Sequence, residues 1–139
     1  MSHSTKVFVH GVPETSAVWS PLVDELSTRG VTNIVLLSPP GFGTPSPAGW
    51  GASMYDYRDW LLNELDNIDG PIDLVAHDWG AGYLYNALAT QPHIVRSWAT
   101  DVIGMLHPDY IWHDGALRWQ TPDIGEQWVA GMVALSDQD

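Results

Sequence analysis

At 139 residues with 45% apolar content, the chain has the length of one domain and the side chains for a core, which excludes general disorder. Five Lys and Arg stand against 17 Asp and Glu, a formal net charge of -12, so phosphate backbones and anionic lipid headgroups are repelled and neither is an expected partner. There is no cysteine, which removes disulfides, thiolate catalysis and cysteine-based zinc sites together.

The polar start, Met1-Ser2-His3-Ser4-Thr5-Lys6, lacks the charged-then-apolar pattern of a signal peptide. No apolar run approaches the ~20 residues of a membrane span, so the expectation is a soluble, cytoplasmic protein. Val7-Phe8-Val9-His10 reads as a first strand, stopped by Gly11. From Ser16 to Arg29, Val18, Leu22 and Leu26 recur at helical spacing, and Gly30 ends that helix. Ile34-Val35-Leu36-Leu37 is a continuous apolar run, as expected of a strand covered on both faces.

Ser38-Pro39-Pro40-Gly41-Phe42-Gly43 ends the second strand, and Pro45 and Pro47 keep the following loop irregular. A second helix is expected to start near Ser53 or Asp56, with Tyr57, Leu61, Leu65 and Ile68 on one face. After Asp69-Gly70-Pro71, Ile72 to Ala76 forms a third strand and Gly80 to Thr90 a third helix. Val95 to Ile103 reads as a fourth strand, and Tyr110 to Asp139 holds two more helical patterns. Strands alternating with helices over short links call for an α/β fold: a mostly parallel sheet of about four strands, with helices on both faces. Ligands in such sheets bind at the carboxyl ends of the strands, so the loops after strands one and three are where chemistry is expected.

Two segments answer to that. In Ala76-His77-Asp78-Trp79-Gly80, an acid sits between strand and helix with a small residue two positions to either side. A strand that turns sharply into a helix crowds its backbone, which calls for those small residues and leaves the middle side chain exposed. An Asp at a helix start is also a common N-cap, and that reading stands beside the nucleophile one. The helix dipole favours an anion there in either case. The second segment, His10-Gly11-Val12-Pro13, follows strand one; alone, it is compatible with any tight turn. Gly41-Phe42-Gly43 lies between the two and is sufficiently explained as a turn that needs positive φ.

In order and spacing these segments resemble the epoxide hydrolase and haloalkane dehalogenase branch of the α/β-hydrolases, best over residues 6 to 108. The resemblance implies Asp78 as nucleophile, with the backbone N–H groups of Val12 and Trp79 as oxyanion hole and His10 and Trp79 beside the substrate. It implies residues 1–108 as the N-terminal part of the hydrolase core and 109–139 as the start of a helical lid, with Tyr110, Trp112, Trp119 and Trp128 packing it. A carboxylate attacks an sp³ carbon bearing an epoxide oxygen or a halide, giving an alkyl ester that water then hydrolyses, with no metal or organic cofactor.

The family's general base is a late His oriented by an acid. His3, His10, His77, His93, His107 and His113 do not occupy that place, so truncation is the expectation and turnover is in doubt. Asp101 stands near a position from which some members take the orienting acid; an Asp bonded to the start of the lid accounts for it equally. Epoxide chemistry is preferred because Val12, where dehalogenases often carry Asn, offers only its backbone to a leaving halide. The expected partner is a small apolar substrate. The other class of function is a non-catalytic fragment that self-associates, or pairs with a missing C-terminal half, through an exposed sheet edge. A phosphorylated receiver domain is excluded, because His10-Gly11 stands where its metal-binding acids would be.

Overall fold

All four apolar runs form strands: β1 (Thr5–Val9), β2 (Ile34–Leu37), β3 (Ile72–Ala76) and β4 (Ser97–Thr100), parallel throughout in the order β2-β1-β3-β4. They belong to a computed structural model that describes residues 4–101, 104 and 107–136 and divides into two compact units, residues 1–103 and 104–139. Three helices complete the first unit: α1 (Ser20–Thr28) behind a 3₁₀ turn (Ser16–Trp19), α2 (Met54–Asp66) and α3 (Trp79–Thr90). Among the described residues, no helix is long and apolar enough to cross a membrane.

The strand order explains where the helices lie. The chain leaves β1 for β2 in one direction, then returns across β1 to β3 and on to β4 in the other. Right-handed crossovers therefore send α1 to one face of the sheet and α2 and α3 to the other. The same reversal leaves a crevice between the carboxyl ends of β1 and β3, the switch point at which such sheets bind ligands.

The face under α2 and α3 holds the core. Val7 and Val9 of β1 and Leu74 and Ala76 of β3 point into it with at most 1% exposure, as period-two alternation requires. Leu61, Leu65 and Leu84 meet them from the helices, each fully buried and each contributing roughly 1.5–3 kcal/mol by leaving water. Ser53 starts α2 with a capping box: its hydroxyl accepts from the Asp56 N–H while the Asp56 carboxylate accepts from the Ser53 N–H. Both residues considered as its start thus take part.

The opposite face departs from expectation. α1 buries none of its residues: Leu22 is 40% exposed, and Val18, in the 3₁₀ turn before it, 45%. Leu36 of β2 is 38% exposed, so the second strand is not covered on both sides. The reason is topological. β2 is an edge strand and α1 is the one helix that the crossovers send to this face, where Phe8, Leu22, Leu26 and Val75 line a cavity of about 360 Å³. The expected single helix over 16–29 is broken at Trp19 because Pro21 stands at the start of the α-helical part. The fourth strand runs from Ser97 to Thr100 rather than from Val95 to Ile103; Val102 and Ile103 lie outside the described residues.

In the second unit, the two helical patterns form α4 (Asp114–Gln120) and α5 (Ile124–Ser136). His113 caps α4, its Nδ1 accepting from the Ala116 N–H at 3.2 Å. Tyr110 and Trp112 pack edge to face at 5.1 Å. The side chains of Trp119, Met132 and Leu135 lie outside the described residues.

At the amino end of the sheet, Asp73 of β3 gathers neighbours from the starts of the two flanking strands, β1 and β4. It accepts from Lys6 Nζ at 2.9 Å, Ser4 Oγ at 2.7 Å, Ser97 Oγ at 2.6 Å and both Arg96 Nε, at 2.8 Å, and Nη2. Arg96 above all, then Ser97, Ser4 and Lys6, hold its carboxyl far below the ordinary carboxylate value. Because the folded value is depressed, the stabilisation is present above the ordinary value of 3.8 and is lost as pH falls below it. Replacing Asp73→Ala should cost about 2 kcal/mol in urea unfolding at neutral pH, a figure reduced for its partial exposure. The gap to the unsubstituted chain should close as the pH is taken below 3.8.

Candidate active site

No loop separates β3 from α3. The His77 N–H still donates to Val9 O at 3.0 Å, as the sheet ladder would have it, and Trp79 already belongs to the helix. Asp78 alone must make the turn, and it does so at φ 51°, ψ -124°, a conformation that costs a non-glycine residue roughly 1–3 kcal/mol. Its side chain makes no hydrogen bond to the start of α3, so Asp78 occupies the N-cap position without acting as a cap.

The tightness of this turn dictates its neighbours. A Cβ on Gly80 would lie 2.7 Å from Val9 O and 2.8 Å from His10 O, so the first turn of α3 can rest on β1 only with glycine there. A Cβ on Gly11 would lie 2.4 Å from the Asp78 Cβ and 2.5 Å from its Oδ1, because the loop after β1 crosses directly over the acid. That crossing delivers the Val12 N–H to Asp78 Oδ1 at 3.1 Å. The Trp79 N–H lies in the first turn of α3, where backbone donors have no partner within the helix. Val12, Asp78 and Trp79 are therefore brought together.

His10 lies elsewhere than expected. It is fully buried, and its Nδ1 donates to Gly11 O at 2.8 Å. The imidazole faces the interior and ties down its own loop, so it presents no surface to a substrate. Trp79 instead lines, with Val12, Phe42, Met54, Tyr57 and Tyr83, a cavity of about 390 Å³. Tyr57 and Tyr83 stack at 4.5 Å, and the Tyr57 hydroxyl donates to Pro40 O at 3.1 Å. Burial first, then the neighbouring Tyr57 and Asp78, push the Tyr83 hydroxyl up, so it stays a neutral phenol. None of these wall residues carries a charge.

Asp101 finds an imidazole to orient, though one the sequence did not indicate. Its Oδ1 is 2.7 Å from Nδ1 of His77, whose Nε2 is 3.3 Å from Glu14 Oε1. The other Glu14 oxygen accepts the Gly11 N–H at 3.2 Å. Burial by itself lowers the His77 pKa, but the Asp101 hydrogen bond and the charges of Glu14, Asp101 and Asp78 outweigh it and raise it above 6.5. Glu14 and the cavity aromatics are the residues that sequence reasoning missed. Tyr57 reads as an ordinary core position of α2, and nothing in its spacing says that it also walls a cavity.

Comparison with known proteins agrees with this architecture. A family model described as "Alpha/beta hydrolase family" matches residues 7–137. A haloalkane dehalogenase of Mesorhizobium japonicum is 27% identical over 92% of this chain and 43% of its own length. An (E)-2-((N-methylformamido)methylene)succinate hydrolase of Acinetobacter baylyi is 26% identical over 67% of this chain and 35% of its own. Among solved structures, a haloalkane dehalogenase loop variant from Bradyrhizobium elkanii matches 96% of this chain and 48% of that one, at a TM-score of 0.73 and 22% identity. Cfl2 from Burkholderia cenocepacia matches 95% and 49%, at a TM-score of 0.68 and 25% identity. The chain thus spans less than half the length of the curated relatives it matches.

The crowding at the turn makes two contrasting expectations. Gly80→Ala should cost about 2–3 kcal/mol in denaturant unfolding, whereas Gly82→Ala, whose Cβ would meet nothing nearer than 3.7 Å, should be neutral or stabilising. Asp78→Gly, which relieves the strained φ but loses the Val12 hydrogen bond, should raise stability by about 1 kcal/mol in the same measurement.

Proposed function

Because the chain belongs to the alpha/beta hydrolase family, we propose that Asp78 is a nucleophile toward sp³ carbon, acting on small apolar epoxides without a metal or organic cofactor. The observation that carries this reading is the Asp78 turn itself. A carboxylate is held in a strained conformation, serves no capping role, and takes the Val12 N–H at 3.1 Å. Strain of that kind persists where the surroundings hold a side chain toward a task.

In the reaction, an Asp78 oxygen attacks an epoxide carbon, the carbon–oxygen bond of the ring breaks, and an ester of Asp78 forms as the alkoxide takes a proton from solvent water, leaving hydroxide. Water then adds to the ester carbonyl, whose oxygen becomes an anion between the Val12 and Trp79 N–H groups. The apolar cavity beside Trp79 suits the hydrocarbon part of such a substrate.

The second step needs a base toward water. His10 is sealed from water, with Nδ1 on Gly11 and a buried, unpartnered Nε2; His77 is held by Asp101 and Glu14, and His93 follows α3 at the opposite end of the sheet from Asp78. The ester is therefore the expected end product of this chain. A halide substrate is the second reading, favoured by the dehalogenase relative at 27% identity. Against it, position 12 is Val and offers no side-chain donor to a leaving halide. A further reading, association of two copies, is favoured by the cavity of about 360 Å³ beside α1, with its wall of Phe8, Leu22, Leu26 and Val75.

Incubation with styrene oxide should add the mass of one epoxide, mapped by peptide analysis to Asp78, and Asp78→Asn should show no adduct. An adduct that survives Asp78→Asn, or that maps elsewhere, rejects the nucleophile. A chloroalkane adduct, heavier by the alkyl group alone, would move the reading to dehalogenation. Light scattering checks association separately: a single-chain mass at high concentration would dismiss it.

A further inference from the structure

The three acids nearest His77 come from three different segments. Glu14 is on the loop after β1, Asp101 follows β4, and Asp78 is the turn residue itself; the edge of the Trp19 ring closes another side at 6.3 Å. An imidazole with a carboxylate on each nitrogen satisfies both only when it is protonated, because the neutral ring has one N–H and one lone pair. The Glu14 carboxylate is shared, taking His77 Nε2 on Oε1 and the Gly11 N–H on Oε2. Gly11 immediately precedes Val12, whose N–H rests on Asp78.

We propose that Glu14, His77 and Asp101 are positioning residues, a carboxylate–imidazolium–carboxylate strap that holds the Val12 N–H on Asp78 and releases it when His77 loses a proton. The shorter contact, 2.7 Å to Asp101, keeps its hydrogen on Nδ1, so the proton that leaves for solvent is the one on Nε2. The Nε2 lone pair then faces Glu14 Oε1 across 3.3 Å, an acceptor against an acceptor. Glu14 swings away, the Gly11 N–H loses its partner, and the loop over Asp78 is free to lift. The sign follows from the raised His77 value: the strap is closed below 6.5 and opens as pH rises through a midpoint above it. The catalytic meaning rests on the proposed role of Asp78, but the geometry of the strap does not.

The test is an NMR titration of the ¹⁵N-labelled chain, which needs no substrate. The His77 ring nitrogens and the Val12 amide are followed together as pH rises. The Val12 amide proton should move upfield with the same midpoint as the His77 ring, above 6.5. In Glu14→Gln the Val12 amide should lose that step, while His77 still titrates at a lower midpoint. A Val12 amide that stays flat while His77 titrates in the unsubstituted chain overturns the proposal, as does a step that survives Glu14→Gln. The titration of the unsubstituted chain is decisive even if the variant does not fold. Failure of the styrene oxide adduct with a coupled Val12 step would reject the nucleophile and leave the strap standing.

Discussion

The one-residue turn at Asp78 is the constraint on which the site depends. β3 ends in ladder hydrogen bonding at His77 and α3 begins at Trp79, so the change of direction falls on a single set of dihedrals. Once that turn is made, the helix must pass against β1, which requires glycine at 80, and the loop after β1 must pass over the acid, which requires glycine at 11. The Val12 N–H then reaches Asp78 as a consequence of the crossing. A strained residue, two close backbone approaches and one hydrogen bond are parts of a single packing solution. Its cost is offset by the burial of β1 and β3 beneath α2 and α3.

Topology places that solution where it can be used. Parallel strands whose connections leave in opposite directions open a crevice at their carboxyl ends, and Val12 and Asp78 are the residues that arrive there from β1 and β3. The cavity beside them is walled by Phe42, Met54, Tyr57 and Tyr83, two of which come from α2 and one from α3. The helices that bury the core therefore also shape the space next to the acid.

Charge is distributed with the same division. At the amino end of the sheet, Asp73 draws in Lys6 and Arg96, two of the chain's five basic side chains, and ties three strands together. At the carboxyl end no Lys or Arg pairs with the acids described; Glu14 and Asp101 turn instead to a histidine. A permanent cation suits a strand staple, which then holds at any pH that leaves Asp73 ionised. An imidazole suits a place where a proton can come and go. An acidic chain with few cations thus makes His77 its local counter-charge beside Asp78.

Much of this was legible without coordinates. The apolar runs named all four strands, and β2 and β3 fall on the expected residues because short runs bounded by Gly and Pro leave little freedom at their ends. The small residues around Asp78 announced a sharp turn, since steric crowding is local and shows in neighbouring positions. Burial did not follow from pattern in the same way. The segment from Ser16 to Thr28 carries an apolar stripe, yet Val18 and Leu22 stay exposed, because a stripe records what a helix can bury and topology decides what lies opposite. His10 read as a residue for a ligand and lies sealed in the interior, and Asp101 read as an acid awaiting a distant histidine and meets His77. The amino-acid sequence by itself determined the order of elements and the strained turn, because both depend on contacts between near neighbours in the chain. Only the tertiary structure decided which side chains meet around Asp78, because Glu14, His77 and Asp101 follow three different strands, β1, β3 and β4, that adjacency in the sheet alone brings together.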